Sequence, residues 1–263
     1  MHIIDTHCHA GLNWFEPIET LVHEMDSNGV QFAVLVQHGG AFDNSYLLSC
    51  AARFDGRFKV VVLLDPEDPD QPGTLEGLSE QGISGVRLRP ESRTRGSDPI
   101  AVWKKAGDLG LVVSCQGDPA GFASDEFKKL LDCCGDTSIV IEHLGLSGYD
   151  EVQCERYTEM LGTSEWPNVT IKVPGLGEIS ERPVRHRREF HFDEIPPLID
   201  RVREAFGAKR MMWGSDFPPV AGREGYRNAL EGVRDYHAFA EGDEATWVMG
   251  RTAAHVWGFP TID

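Results

Sequence analysis

Three short stretches of this 263-residue sequence carry side chains able to do acid–base or metal chemistry. The first is Asp5-Thr6-His7-Cys8-His9, at the end of an apolar run. On an extended strand the side-chain period is two, so Asp5, His7 and His9 project to one side, the imidazoles about 6.5–7 Å apart along the chain. Two imidazoles so placed can grip a metal ion or polarise a carbonyl, although His-x-His alone also arises by chance at strand ends. The second stretch, Ile139 to Gly145, ends an apolar run on His143, which by itself reads equally well as a hydrogen-bonded core residue. The third, Met212-Trp213-Gly214-Ser215-Asp216-Phe217-Pro218, places a carboxylate at the end of the last apolar run. Standing alone, Asp216 reads as a turn cap ahead of two prolines.

These groups lie far apart in sequence, so only a particular scaffold can gather them. Eight apolar or β-branched runs occur at roughly His2–His9, Phe32–His38, Phe58–Asp65, Ile83–Pro90, Leu111–Gly117, Ser138–Gly145, Asn168–Gly175 and Arg210–Phe217. Several are apolar at consecutive positions, as expected of parallel strands covered on both faces. Between them fall helical patterns at about Pro17–Asn28, Asn44–Phe54, Asp70–Gln81, Pro99–Leu109, Ser124–Cys134, Tyr149–Leu161, Glu194–Phe206 and Gly225–Phe239, with a closing helix at Asp243–Trp257. Pro17 and Pro99 suit first helical turns, and Gly29, Gly82, Gly110 and Gly207 suit helix ends. Strict alternation of this kind predicts a (β/α)8 TIM barrel, one domain over residues 1–263. An open doubly wound sheet alternates too, but it has no common centre for polar residues ending so many different runs, whereas all barrel strands end at one mouth.

The formal charge of −17 excludes nucleic acid and anionic membrane surfaces as natural partners. Six cysteines without a repeated C-x-x-C spacing argue against a disulfide framework or a zinc ribbon, so reduced thiols are expected. No stretch of eighteen uncharged apolar residues occurs and the chain opens on M-H-I-I-D, so a soluble, cytoplasmic protein is expected, with oligomerisation left open.

Taken together, D-T-H-C-H, G-V-R-L-R-P, I-E-H-L-G, N-V-T-I-K-V-P-G and W-G-S-D-F-P resemble the amidohydrolase superfamily along nearly the whole chain. More narrowly, their order is similar to the amidohydrolase-related branch that includes metal-independent pyrone-dicarboxylate lactonase and sugar lactonases, and that shares ancestry with zinc-dependent decarboxylases. The resemblance implies that His7 and His9 are metal ligands or carbonyl-polarising groups and His143 a further active-site imidazole. It makes Asp216 the general base for an attacking water and, with metal bound, also a ligand. The sequence departs from the zinc-dependent pattern at strand five, where Cys115-Gln116-Gly117 stands in place of a histidine, and at strand four, which ends Arg87-Leu88-Arg89 without a bridging lysine. A two-metal centre is therefore not expected. One divalent ion, zinc first, on His7, His9 and Asp216, with His143 as a further candidate ligand, stays open beside a metal-independent mechanism.

Arg87 and Arg89 share strand parity, and a guanidinium at a barrel mouth is shaped for bidentate capture of a carboxylate, so a small anionic substrate is expected. Gln116, His38 ahead of Gly39-Gly40, and Trp14 as an apolar wall are further substrate-contact candidates. The basic segment Arg182–His191 after the seventh run is either a solvated loop or a lure for anionic ligands. The leading expectation is hydrolysis of a lactone or similar cyclic ester of an anionic or sugar-derived substrate. Two alternatives stand beside it: metal-dependent non-oxidative decarboxylation of an aromatic or muconate-type acid, and a non-catalytic binding protein that keeps the pocket.

Overall fold

The computed structural model describes residues 2–145 and 155–260. Its strands are β1 (Ile4–Cys8), β2 (Phe32–Val36), β3 (Phe58–Val62), β4 (Gly85–Leu88), β5 (Val112–Cys115), β6 (Ile139–Ile141), β7 (Val169–Val173) and β8 (Met211–Trp213). They form one eight-stranded sheet in the order β1 to β8, the topology of a (β/α)8 barrel. Every expected run contains a strand, and every strand is shorter than its run. His9, His143 and Asp216 are among the surplus residues at the strand ends, whereas Asp5, His7, Arg87 and Lys172 stand within their strands.

The helices are α1 (Ile18–Asn28), α2 (Ser45–Arg53), α3 (Gln71–Ser79), α4 (Ala101–Asp108), α5 (Pro119–Ala123), α6 (Asp125–Cys133), α7 (Glu155–Leu161), α8 (Leu176–Ile179), α9 (Leu198–Phe206), α10 (Tyr226–Arg234), α11 (Glu244–Thr246) and α12 (Thr252–Trp257). The short α5 and α8 are too brief to leave a periodic signal in the sequence. Residues 149–154 of the helix expected at Tyr149–Leu161 lie outside the described residues. The expected closing helix is interrupted by a π turn at Trp247–Arg251. Gly29, Gly82, Gly110 and Gly207 all take positive φ at or just beyond helix ends, as their placement predicted.

The chain forms two compact units, one of residues up to Val34 and from Lys172 onward, the other Leu35–Ile171. In the first, α9 buries Leu198, Ile199, Val202 and Phe206, and α10 buries Tyr226, Ala229, Leu230 and Val233. The α10 set falls at i, i+3, i+4, i+7 and the α9 set at i, i+1, i+4, i+8, each a single helix face. In the second unit β3 to β6 pair in parallel, Arg87 standing opposite Ser114 across β4 and β5. An edge-to-face chain of Trp103, Phe127 and Phe122 fills its core beneath α4, α5 and α6.

No helix among the described residues is long and apolar enough to cross a membrane. The described cysteines Cys8, Cys50, Cys115, Cys133 and Cys134 are free thiols.

Candidate active site

The first unit joins β1 to β8, and that junction positions the candidate chemistry. The Thr6 hydroxyl donates to the Trp213 carbonyl at 2.7 Å. The Asp216 amide donates to His7 O and the His9 amide to Phe217 O, each at 2.8 Å. Gly214 makes the approach possible, because a Cβ there would lie 2.8 Å from the His7 Cβ. The glycine of W-G-S-D thus answers a packing demand of β1.

Asp5 does not join the candidate ligands; it holds the junction together. It is fully buried, and its Oδ1 accepts from the Ser215 amide at 2.8 Å and the His7 amide at 3.2 Å. Its Oδ2 accepts from the Tyr226 hydroxyl at 2.9 Å. Burial pushes the Asp5 carboxyl above the ordinary carboxylate range, against the opposing pull of its Ser215 and Tyr226 hydrogen bonds. Removing the phenol as Tyr226→Phe strips a buried oxygen of its donor and is expected to cost about 1–3 kcal/mol of unfolding free energy. Urea denaturation monitored by fluorescence reads this directly, and an unchanged midpoint would contradict the role given to Asp5.

The two Asp216 oxygens face different partners. Oδ1 lies 3.4 Å from His9 Nε2 and 3.9 Å from His7 Nε2. Oδ2 accepts from Arg223 Nη1 at 2.9 Å. The same guanidinium reaches Glu178 at 3.2 Å and Glu224 at 3.6 Å. Burial pushes the Glu224 carboxyl up, the neighbouring Arg223 charge only partly offsetting it. On the other side of the imidazole pair, Lys172 Nζ stands 3.1 Å from His7 Nδ1, and Lys172 is buried. The His7 tautomer decides which group donates: with Lys172 as an ammonium, Nδ1 accepts and the His7 ring proton is on Nε2, the nitrogen turned toward Asp216.

Backbone strain marks the same neighbourhoods. Among the described residues, the non-glycine ones with positive φ are Phe15, His143, Leu144 and Asp216. A bulky side chain in that region costs about 1–3 kcal/mol and concentrates where function over-determines the backbone. Two of the four are candidate site residues, and Phe15 stacks on the His9 ring at 5.2 Å.

The remaining candidates meet mixed outcomes. Trp14 is 75% exposed, and its neighbour Phe15 supplies the apolar face against His9 instead. Arg87, expected to meet substrate, is buried and spends its guanidinium on Glu142, with Nη2 to Oε2 at 2.7 Å and Nη1 to Gln37 O at 3.1 Å. Ser114 donates to the other Glu142 oxygen at 2.7 Å. Arg89 is exposed and pairs with Glu91. Arg87, Arg89 and Gln116 nevertheless line one cavity of about 280 Å³ with Gly39 and Gly40, the glycines that follow His38. His143 follows β6 and opens a single 3-10 turn through Gly145.

His7, His9 and Asp216 each offer one ligand atom, all within 4.8 Å of one another, and all three residues are buried. Two imidazole nitrogens and one carboxylate oxygen are a donor set that suits a single divalent ion.

Arg223, Glu142 and Phe15 escaped the sequence reading, and Lys172, one of the polar residues near the run ends, received no role in it. Lysine is almost never fully buried unless paired, so Lys172 inside the apolar N-V-T-I-K-V run was the legible signal. Arg223 lies in a loop seven residues beyond Asp216, where no periodicity could flag it.

The sequence pattern of the family described as Amidohydrolase matches residues 4–259. The chain belongs to the amidohydrolase family. Within this family it is similar to a 4-sulfomuconolactone hydrolase of Hydrogenophaga intermedia, 27% identical over 218 residues that span 77% of this chain and 65% of that relative. The amidohydrolase fold is shared with a Pseudomonas putida protein assigned as a 2-pyrone-4,6-dicarboxylic acid hydrolase, at TM-score 0.78, 22% identity and 99% coverage of each chain. It is shared also with a Burkholderia multivorans amidohydrolase crystallised with bound zinc, at TM-score 0.76 and 19% identity, over 99% of this chain and all of that one.

Proposed function

We propose that this amidohydrolase opens the ring of a lactone bearing an acidic substituent, by attack of a water that Asp216 deprotonates. The observation that carries the reading is the division of labour on Asp216: Arg223 clamps Oδ2, leaving Oδ1 turned toward the imidazoles of His7 and His9. A carboxylate fixed in this way is pre-organised to take a proton from a water at Oδ1. With Lys172 as an ammonium, the His7 ring proton is on Nε2 and is available to the ester oxygen as negative charge develops there. His9 lends a second imidazole, stacked under Phe15. His143 keeps, in this reading, the role the family motif gives it, and Arg89, Gln116 and His38 remain the substrate contacts of the β2, β4 and β5 loops. The names of two relatives support the substrate class, since a sulfomuconolactone and a pyrone dicarboxylic acid are both ring esters carrying strong acid groups.

His7, His9 and Asp216 are the residues that would hold a zinc or similar ion, which would supply carbonyl polarisation and a bound water of pKa about 7. The step proposed here does not need it, because Lys172 and Arg223 already place two side-chain cations against this cluster. A Nε2 ligand would moreover require the His7 proton to move to the nitrogen facing Lys172. Chelation followed by dialysis is therefore expected to leave more than half of the lactone hydrolysis rate. A loss beyond tenfold that zinc restores would transfer the chemistry to the ion.

The experiment for the reading as a whole is a panel of carboxylated and sulfonated lactones in weakly buffered pH indicator, since each ring opening releases one proton. Acidification by the wild-type protein with one panel member, absent with Asp216→Asn, is the expected result. No acidification across conjugated acidic lactones would overturn the proposal.

A further inference from the structure

The first unit contains a cavity of about 640 Å³ between the loop that follows α8 and the start of α10. Its walls carry Arg182, Arg187, Arg188, Arg223 and Arg227 against Glu189, Glu224 and Glu231, an excess of positive side chains in a chain of net charge −17. Several of these cations are already engaged. Arg227 is 3.1 Å from Glu231, Arg187 is 3.7 Å from Asp193, and Arg223 holds Asp216. Arg182 and Arg188 form no salt bridge with any described residue, although Arg182 Nε donates to His186 at 3.3 Å. The cavity also has an aromatic wall, Phe190 and Phe192 in edge contact at 5.2 Å, and Phe190 is 43% exposed.

We propose that this cavity is a binding site for a planar conjugated carboxylate, with Arg182 and Arg188 taking the anionic group and Phe190 the ring face. The physical grounds are complementary. Guanidinium forks match carboxylate geometry, exposed aromatic faces take flat π systems, and unpaired arginines lining a concavity in an acidic protein concentrate anions locally. Arg223 belongs to the cavity wall and to Asp216 at once, so a single side chain links the cavity to the proposed base. In its link to turnover the inference rests on the lactone-hydrolase reading and deepens it; as a binding site it stands separately. Arg87 of the other unit, to which the sequence drew attention first, is committed to the buried Glu142.

The test uses the full-length protein and isophthalate, a planar dicarboxylate with no ester to cleave. Calorimetric titration at low salt is expected to show binding that weakens as salt is added, and the double variant Arg182→Ala/Arg188→Ala is expected to weaken it at least about tenfold. Both arginines are exposed, so melting curves of variant and wild type should coincide. Absence of isophthalate binding at millimolar concentration, or equal affinity in the double variant, would overturn the site. On a turned-over acidic lactone the same variant is expected to raise KM at least about tenfold while kcat changes less than twofold. Unchanged KM would overturn the link of the site to turnover while leaving the hydrolase reading standing. Arginine-dependent isophthalate binding without hydrolysis of any lactone would uphold the site and remove the hydrolase reading.

Discussion

Asp216→Asn is expected to lower kcat for the lactone by about 10²–10⁴-fold while leaving the unfolding transition close to that of the wild type. Asparagine is the informative replacement for a backbone reason. Asp216 sits at φ 56, a conformation that asparagine tolerates nearly as well as aspartate, while alanine would add strain to the chemical loss. The amide side chain also keeps an oxygen that can accept from Arg223, and the Asp216 backbone amide keeps its bond to His7 O. What disappears is basicity at the atom facing His7 and His9. Stopped-flow or steady-state rates with matched circular dichroism decide the matter. Wild-type turnover in a correctly folded variant would remove Asp216 from the mechanism, and a large drop in stability would mean that the residue serves the β1–β8 junction more than the chemistry.

The second large effect lies in the other unit. Arg87→Met is expected to destabilise the protein by about 3–5 kcal/mol, because it leaves the Glu142 carboxylate buried without its cation. Total stability of a domain is about 5–15 kcal/mol, so this variant is expected to express poorly or unfold at low denaturant. Deleting both charges, as Arg87→Met with Glu142→Gln, should recover most of the loss, since an amide can still accept from the Ser114 hydroxyl. Urea midpoints of the single and double variants measure the difference. A single variant as stable as wild type, or a double variant no better than the single, would show that the pair does not bear the energy assigned to it.

The strand-and-helix rhythm was legible because parallel strands buried on both faces write continuous apolar runs, such as Phe58–Asp65, that no amphipathic helix imitates. The grouping of His7, His9 and Asp216 was legible for a related reason: strand parity fixes which side chains share a side, and the barrel fixes which ends meet. Reasoning from parity failed where a partner lay on another strand. Arg87 has the right parity for substrate, yet Glu142 claims it from two strands away, and Glu142 looked like an ordinary member of I-E-H-L-G. Trp14 drew attention by its place just beyond the first strand, but the backbone turn that brings Phe15 onto His9 requires φ 66, which leaves no trace in residue type. Arg223 and the basic loop share that limit, since loop paths follow from tertiary packing and not from periodicity.

The union of β1 with β8 also dictates when the protein can work. Both imidazoles leave the ribosome some two hundred residues ahead of the carboxylate that faces them. Throughout synthesis the edge of β1 that will receive Ser215, Asp216 and Phe217 must wait exposed, a ready template for pairing with another nascent chain. Completion of the proposed site thus waits on β8, and nascent chains halted before it would carry both histidines without the carboxylate proposed as base.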